Sequence, residues 1–204
     1  MLLREKMNKR IYEHFEKRIQ QYFEELPEKE KNNPFLIWSE SDVQSYLYHR
    51  LVSDQQIEKN YSINNRPVLS SSNPEKKYKG KAKNVKPFYQ PDILITTLEN
   101  LTVEQREDRP QAEKRLGLLR KDDSIVVEIK FVQDTNNSTG RASVSKLEGL
   151  KEDYKKNRNE GHKWIILVFV EKGEKSYLTK EDYKRVSRYK NALIMHKPKE
   201  LMFD

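Results

Sequence analysis

The sequence predicts a mixed α/β domain: one sheet flanked by helices, built in the order helix, three strands, helix, strand, with a helical extension at the N-terminus. Three observations predict it. Two apolar, β-branched runs, SIVVEIKFV at 124–132 and KWIILVFVE at 163–171, have the length and composition of strands. The segment between them, ASVSKLEGLKEDYKKN, repeats apolar residues at helical spacing. A helical pattern and two shorter strand patterns precede both runs. Strands that alternate with helices in this way build a sheet with helices packed on it.

Residues 2–25 carry Ile11, Phe15, Ile19 and Phe23 four apart among Lys, Arg and Glu, which predicts an amphipathic helix stopped by Pro27 and the polar stretch EKEKNNP. Its apolar stripe needs a cover, either the rest of the chain or a second copy. Residues 1–30 are therefore read as an N-terminal helix able to join a homodimer, and residues 31–204 as the main domain. A second helix runs from about 40 to 52: Ser39, with Asp42 three residues on, has the form of a capping box, and Val43, Leu47 and Leu51 form an apolar stripe. At about 100° per residue Glu40 lies on that stripe and Asp42 lies opposite, so Glu40 is the inward-facing acid.

IEKNYSI predicts the first strand, with RPVL as a return. The stretch SSSNPEKKYKGKAKNVK, with Lys76, Lys77, Lys79, Lys81, Lys83 and Lys86, has no apolar period and reads as a loop. Pro91 opens the second strand, DILIT. Residues 99–123 are highly charged, with a short helix expected near QAEKRLGLLR. After the strand at 124–132 and the loop VQDTNNSTGR, a helix over 142–157 turns Val144, Leu147, Leu150 and Tyr154 inward. KWIILVFVE is apolar throughout and so is expected to be buried on both faces. Thr179 caps a further helix, KEDYKRVSRY, and ALIMH is the last strand.

A formal charge of +8 and a pI of about 9.4 favour polyanionic partners. With no cysteine there are no disulfides and no thiolate metal sites, and the four histidines, at 14, 49, 162 and 196, give no close ligand pair. MLLREKMNKR lacks the apolar core of a signal peptide, and no apolar run approaches the ~18 residues of a bilayer span. A cytoplasmic protein without membrane partners is the expectation. There is no P-loop, Gly-rich dinucleotide turn or nucleophile elbow, and no Ser/His/Asp set can be nominated.

The chemistry is carried by an acid, any residue, then lysine. With 32 acids and 27 lysines, about four such triplets arise by chance, and four occur, beginning at Glu75, Glu128, Asp153 and Asp182. Only Glu128 and Lys130 lie inside an apolar strand; the other three lie in the lysine loop or on helices that expose their charge. With a period of two, Ile125, Val127, Ile129 and Phe131 share one face and Val126, Glu128 and Lys130 the other. Two opposite charges on a central strand are costly to desolvate unless they pair or bind something. Asp92 follows Pro91 in the only Pro-Asp dipeptide of the chain, and an antiparallel pairing of 92–97 with 124–132 lets it reach Glu128.

Glu40 opening a helix, Pro91-Asp92 opening a strand and Glu128-Ile129-Lys130 in the next strand resemble the PD-(D/E)xK nuclease superfamily, as does the element order over about 39–171. The gap between Asp92 and Glu128 is longer than in compact members and needs an insertion at about 99–122. The resemblance implies a restriction-endonuclease-like αβββαβ core. It implies Asp92 and Glu128 as ligands of Mg²⁺, with Mn²⁺ as substitute, Glu40 as an accessory acid ligand present in some branches, and Lys130 beside the attacking water. The expected activity is phosphodiester hydrolysis by a DNA endonuclease of restriction, repair or mobile-element defence. Lys76, Lys77, Lys79, Lys81 and Lys83, and Lys146 on the later helix, are the expected contacts to the phosphate backbone. The alternative is a nucleic-acid-binding module that keeps the fold without catalysis.

Overall fold

The computed structural model describes residues 2–32, 36–70, 88–105, 114–133, 141–172 and 193–196, together with 181 and 184. In chain order the elements are α1 (Leu2–Asn32), α2 (Glu40–Ser53), β1 (Tyr61–Asn65), β2 (Leu69–Ser70), β3 (Phe88–Tyr89), β4 (Ile93–Thr97), β5 (Leu101–Gln105), β6 (Lys114–Leu118), β7 (Ile125–Gln133), α3 (Arg141–Asn159), β8 (Trp164–Lys172) and β9 (Leu193–His196).

The main sheet has the order β1–β4–β7–β8–β9. β1, β4 and β7 form an antiparallel meander; α3 then crosses over so that β8 lies parallel to β7, in register from Ile125↔Trp164 to Gln133↔Lys172, and β9 lies parallel to β8. The element order helix, three strands, helix, strand is thus present in α2, β1, β4, β7, α3 and β8. Alternation along β7 sorts its side chains as the sequence predicts. Ile125, Val127, Ile129 and Phe131 join Ile93, Ile95, Ile166, Val168 and Val170 in one core under α1 and α2. Val126 and Val132 face the other way, into a core shared with Leu147 and Leu150 of α3 and with Ile165, Leu167 and Phe169 of β8. Every residue of β8 from Ile165 to Val170 is buried, so this strand is covered on both faces as expected.

α1 corrects one expectation. It runs through Pro27, which removes a single intrahelical hydrogen bond; the buried Phe23 and Leu26 anchor the helix before it, and beyond it Lys29 lies over the Tyr46 ring, 5.7 Å from its centroid, and pairs with Glu25 at 3.8 Å. Its stripe is also covered by the chain itself: Phe15, Ile19 and Phe23, with Tyr12, Tyr22 and Leu26, enter the α1–α2 core. Polar ties reinforce the contact, since Arg18 Nε and the Tyr22 hydroxyl both donate to Asp54, and the Tyr46 hydroxyl donates to the Tyr22 carbonyl at 2.8 Å. Of the two covers the sequence leaves open for this stripe, the chain itself supplies one over Tyr12–Leu26. Phe15→Ala is expected to cost about 3–5 kcal/mol in urea unfolding, the penalty of emptying a filled core position; a loss below about 1 kcal/mol would show that α1 is dispensable to the fold.

The charged stretch 99–123 forms a hairpin of its own. β5 and β6 pair antiparallel from Leu101↔Leu118 to Gln105↔Lys114, within a second sheet of order β3–β2–β6–β5. The short helix expected near QAEKRLGLLR is strand β6 instead: Gly117 weakens a helix there, and cross-strand pairing with β5 satisfies the backbone. Val144, expected inward on α3, is 37% exposed, one turn short of where the helix meets the sheet. The lysine loop 71–86, and most of the helix expected after Thr179, lie outside the described residues. No helix among the described residues is long and apolar enough to cross a membrane.

Candidate active site

The site lies where β4 and β7 part. β4 pairs with β7 through Ile93↔Val127, Leu94↔Val126 and Ile95↔Ile125, and the same register places Asp92 opposite Glu128. β4 begins there, so among the described residues no strand pairs with β7 on that side from Ile129 onward. Acidic side chains take over the ladder. Asp92 Oδ2 accepts from the N–H of Ile129 at 2.8 Å, and Glu40 Oε2 from the N–H of Phe131 at 3.4 Å. Leaving these N–H groups unpaired would cost free energy, and pairing them with carboxylates draws two acids to the strand that carries Glu128 and Lys130.

Two donors hold Asp92 in place through its carbonyl: Gln44 Nε2 on α2 at 2.8 Å and the Arg66 N–H at 2.9 Å. Arg66 has φ 47, in the left-handed region that side chains other than glycine, asparagine and aspartate seldom adopt. The bend before Pro67 requires it, and that bend delivers the amide to Asp92. α2 is fixed in turn by Ser39, whose hydroxyl accepts from Asp42 N at 3.2 Å, the capping geometry the sequence predicts.

The other wall is α3. Lys130 Nζ lies 2.8 Å from Asp153 Oδ2 and 4.0 Å from Glu40 Oε1. Asn157 Nδ2 donates to Glu128 Oε1 at 2.5 Å and to the Asp153 carbonyl at 2.9 Å. Gly149 completes the stripe, since a Cβ there would stand 3.5 Å from Lys130 Cε. Gly149, Asp153 and Asn157 are successive turns of one helix face, and that face runs along the Glu128–Lys130 pair.

Burial and like charge set the electrostatics. Glu128, 7% exposed, is pushed up to about 8 by its burial first and then by Asp92 and Asp153; the Asn157 hydrogen bond and Lys130 only partly offset this. Asp92 is also raised, by burial, against the Ile129 N–H and the charge of Lys130, with Glu40 and Asp153 adding to the rise. Burial opposes the charge of Lys130, yet its hydrogen bond to Asp153 and the charges of Asp153, Glu40 and Asp92 raise it above the ordinary lysine range. Lys130 is thus held as an ammonium, a charge donor and not a base, beside two carboxylates that resist ionisation together.

These residues fit a divalent ion of the Mg²⁺ type. Asp92 and Glu128 each have one oxygen engaged by a protein N–H, and among the described residues no further hydrogen bond holds the other. Among the described residues, buried Asn157 Oδ1 meets no hydrogen-bond partner, and it is an acceptor suited to a water on such an ion. One or two carboxylates with several waters is the set Mg²⁺ prefers. Among the described residues no three His, Asp or Glu side chains are grouped to enclose a metal. In place of the third ligand the sequence predicts, Glu40 is shared between Lys130 and Lys146, the latter at 3.2 Å. Lys146 keeps 48% of its side chain exposed while making that pair. Lys76, Lys77, Lys79, Lys81 and Lys83 lie outside the described residues.

Sequence reasoning missed Asp153, Asn157 and Gln44. Asp153 appears there only as a chance triplet on an exposed helix; the structure makes it the ion-pair partner of Lys130. The rotation that singles out Glu40 also places Asn157 within about 20° of Leu150, a polar residue inside an apolar stripe, so that signal was present. If Asn157 holds the Glu128 carboxylate for metal, Asn157→Ala is expected to weaken Mn²⁺ binding by about 10- to 100-fold in calorimetry. Unchanged affinity would reduce the contact to packing.

Neither the family models, nor the curated proteins, nor the solved structures contain a match to this chain. What the fold and site define together is a mixed α/β domain with a carboxylate–carboxylate–ammonium cluster at the parting of two strands.

Proposed function

We propose that the protein is a Mg²⁺-dependent nuclease of the restriction-endonuclease-like fold, acting on DNA as an endonuclease. The observation that carries the proposal is the hydrogen bond from the Ile129 N–H to Asp92 Oδ2. It ties one carboxylate to the backbone of the residue between Glu128 and Lys130, at the end of a strand pair. The αβββαβ order and the +8 charge support the same reading.

A bound Mg²⁺ would supply a polarised phosphate oxygen and a water of lowered pKa. Asp92 and Glu128 would hold it, each through the oxygen left by its protein hydrogen bond. The Lys130 ammonium, kept charged by Asp153, stabilises negative charge that develops on the phosphate as water attacks. Its rigid mounting on β7 and α3 spares reorganisation at that moment. Lys146, half exposed at the mouth, adds a phosphate contact whose strength falls with salt.

The test is incubation with plasmid, single-stranded and branched DNA in Mg²⁺ or Mn²⁺. Wild-type protein should cut at least one of them, and Asp92→Asn should cut none; a wild type inert on all three removes the enzyme reading. A binding module without catalysis is the second reading, favoured by the pairing of Lys130 with Asp153 and by the absence, among the described residues, of a three-group metal cluster. Calorimetry with Mn²⁺ separates the two, because a binding module gives no heat that Asp92→Asn abolishes.

A further inference from the structure

Glu40 is held by two lysines at once. Lys146 Nζ stands 3.2 Å from its Oε2 and Lys130 Nζ 4.0 Å from its Oε1. The two lysines are not equivalent. Lys130 is also paired with Asp153 at 2.8 Å and is fixed from that second side. Lys146, half exposed near the start of α3, has Glu40 as its one partner among the described residues. An ion pair open to solvent is weak, and a phosphate competes well for its ammonium.

Backbone geometry relates Glu40 to the other acids. Ile129 and Phe131 lie two apart on β7, so their N–H groups point to one edge, about 6.6 Å from each other. Asp92 Oδ2 accepts from the first at 2.8 Å and Glu40 Oε2 from the second at 3.4 Å, a long bond for an amide donor. The backbone thus grips Asp92 and only loosely holds Glu40. One strand step separates the two carboxylates. A glutamate turning about its side-chain bonds closes that step, directly or through one of the waters Mg²⁺ keeps. The pair with Lys146 is what opposes the turn.

We infer that Lys146 and Glu40 form a latch. Without nucleic acid, Lys146 holds Glu40 away from the cation that Asp92 and Glu128 bind; a phosphate that takes the Lys146 ammonium releases Glu40 toward it. Lys146 is then a positioning residue that acts through Glu40, and phosphate and cation bind cooperatively. This rests on the nuclease reading for the two ligands, and on the ion pair for their coupling.

The test is a double-mutant cycle read by Mn²⁺ calorimetry without DNA. Fixed charges act on a cation additively, so a carboxylate that moves shows itself as non-additivity. Lys146→Met should tighten Mn²⁺ binding about 10- to 100-fold, within the usual span of coupling between sites. Glu40→Gln should cost wild type at most about 5-fold, yet cancel the whole gain in the Lys146→Met background. Lys146→Arg keeps the pair and should show no gain, and Lys146→Gln is a second neutral variant if the methionine harms folding. Reciprocally, Glu40→Gln should tighten metal-free binding of a DNA hairpin by freeing Lys146, and Lys146→Met should erase that effect. Equal costs of Glu40→Gln in both backgrounds, or no gain from Lys146→Met, overturn the latch and leave a surface ion pair, while the nuclease reading stands. Absence of Mn²⁺ heat from wild type and every variant instead removes the nuclease reading, and the latch with it.

Discussion

Glu128→Gln is expected to abolish Mn²⁺ binding and lower cleavage by at least about 10³-fold, while making the metal-free protein more stable at alkaline pH. The two effects share one cause. Glu128 is nearly buried, and burial, then Asp92 and Asp153, push its carboxyl from 4.5 up to about 8. For an acid raised in the folded state, the native form holds a proton that the unfolded form has already released. Stability is then full below the ordinary carboxylate value and is lost as pH rises through the folded one. Metal-free wild type should therefore weaken between about pH 4.5 and pH 8, by about 1.4 kcal/mol for each unit the two values differ. Asp92, raised in the same direction, adds to the slope. Glutamine keeps the shape and still accepts from Asn157 Nδ2, but carries no charge to desolvate. Its gain at pH 8 is on the order of 2–4 kcal/mol. Urea unfolding in a chelator at pH 5 and pH 8 reads it, with the two proteins converging at the lower pH. A glutamine variant less stable than wild type at pH 8 would mean that Glu128 is adequately solvated or paired, and the case for a cation beside it would lose its physical basis.

The sequence discloses those parts of the fold where a period repeats often enough to outweigh chance. β7, β8, α2 and α3 each offer seven or more residues of consistent pattern, and each forms. β2 and β3 are two residues long and exist through pairing with one another and with β6; the return strand expected at RPVL meets β2 only at Leu69, and it joins the second sheet instead of pairing with β1. β6 misleads because Leu116 and Leu119 are spaced as in a helix, and only its antiparallel partner β5 decides otherwise. Pro27 misleads in the opposite sense: propensity predicts an end, yet α1 continues past it, with Lys29 over the Tyr46 ring of α2. The site divides in the same way. Glu128 and Lys130 are visible as charges in an apolar strand, and Asp92 and Glu40 as acids at the openings of elements. Asp153 and Gln44 act through contacts between elements distant in sequence, with α3 against β7 and α2 against β4, and no local pattern encodes such a contact. The ion pairs that engage Glu40 are equally invisible from the chain alone.

The division of labour between carboxylates and ammonium makes a second prediction with a sign opposite to the first. Lys130→Met should lower cleavage by about 10²- to 10³-fold, the usual cost of removing one donor aimed at developing charge. Yet it should leave Mn²⁺ affinity unchanged or tighter. Lys130 lies among Asp153, Glu40 and Asp92, and its charge opposes a second cation there. Removing it leaves Asp92, Glu128 and Asp153 with less to neutralise them, which favours a divalent ion. Methionine keeps the unbranched stem that passes Gly149, so packing against α3 is preserved. Lys130→Arg should not restore activity, because a planar guanidinium paired with Asp153 redirects the charge that a compact ammonium holds there. Cleavage rate and Mn²⁺ calorimetry on the same preparations measure both halves. Loss of metal binding together with activity would make Lys130 a structural partner of Asp153, whereas activity lost with metal retained leaves the ammonium acting on the phosphate.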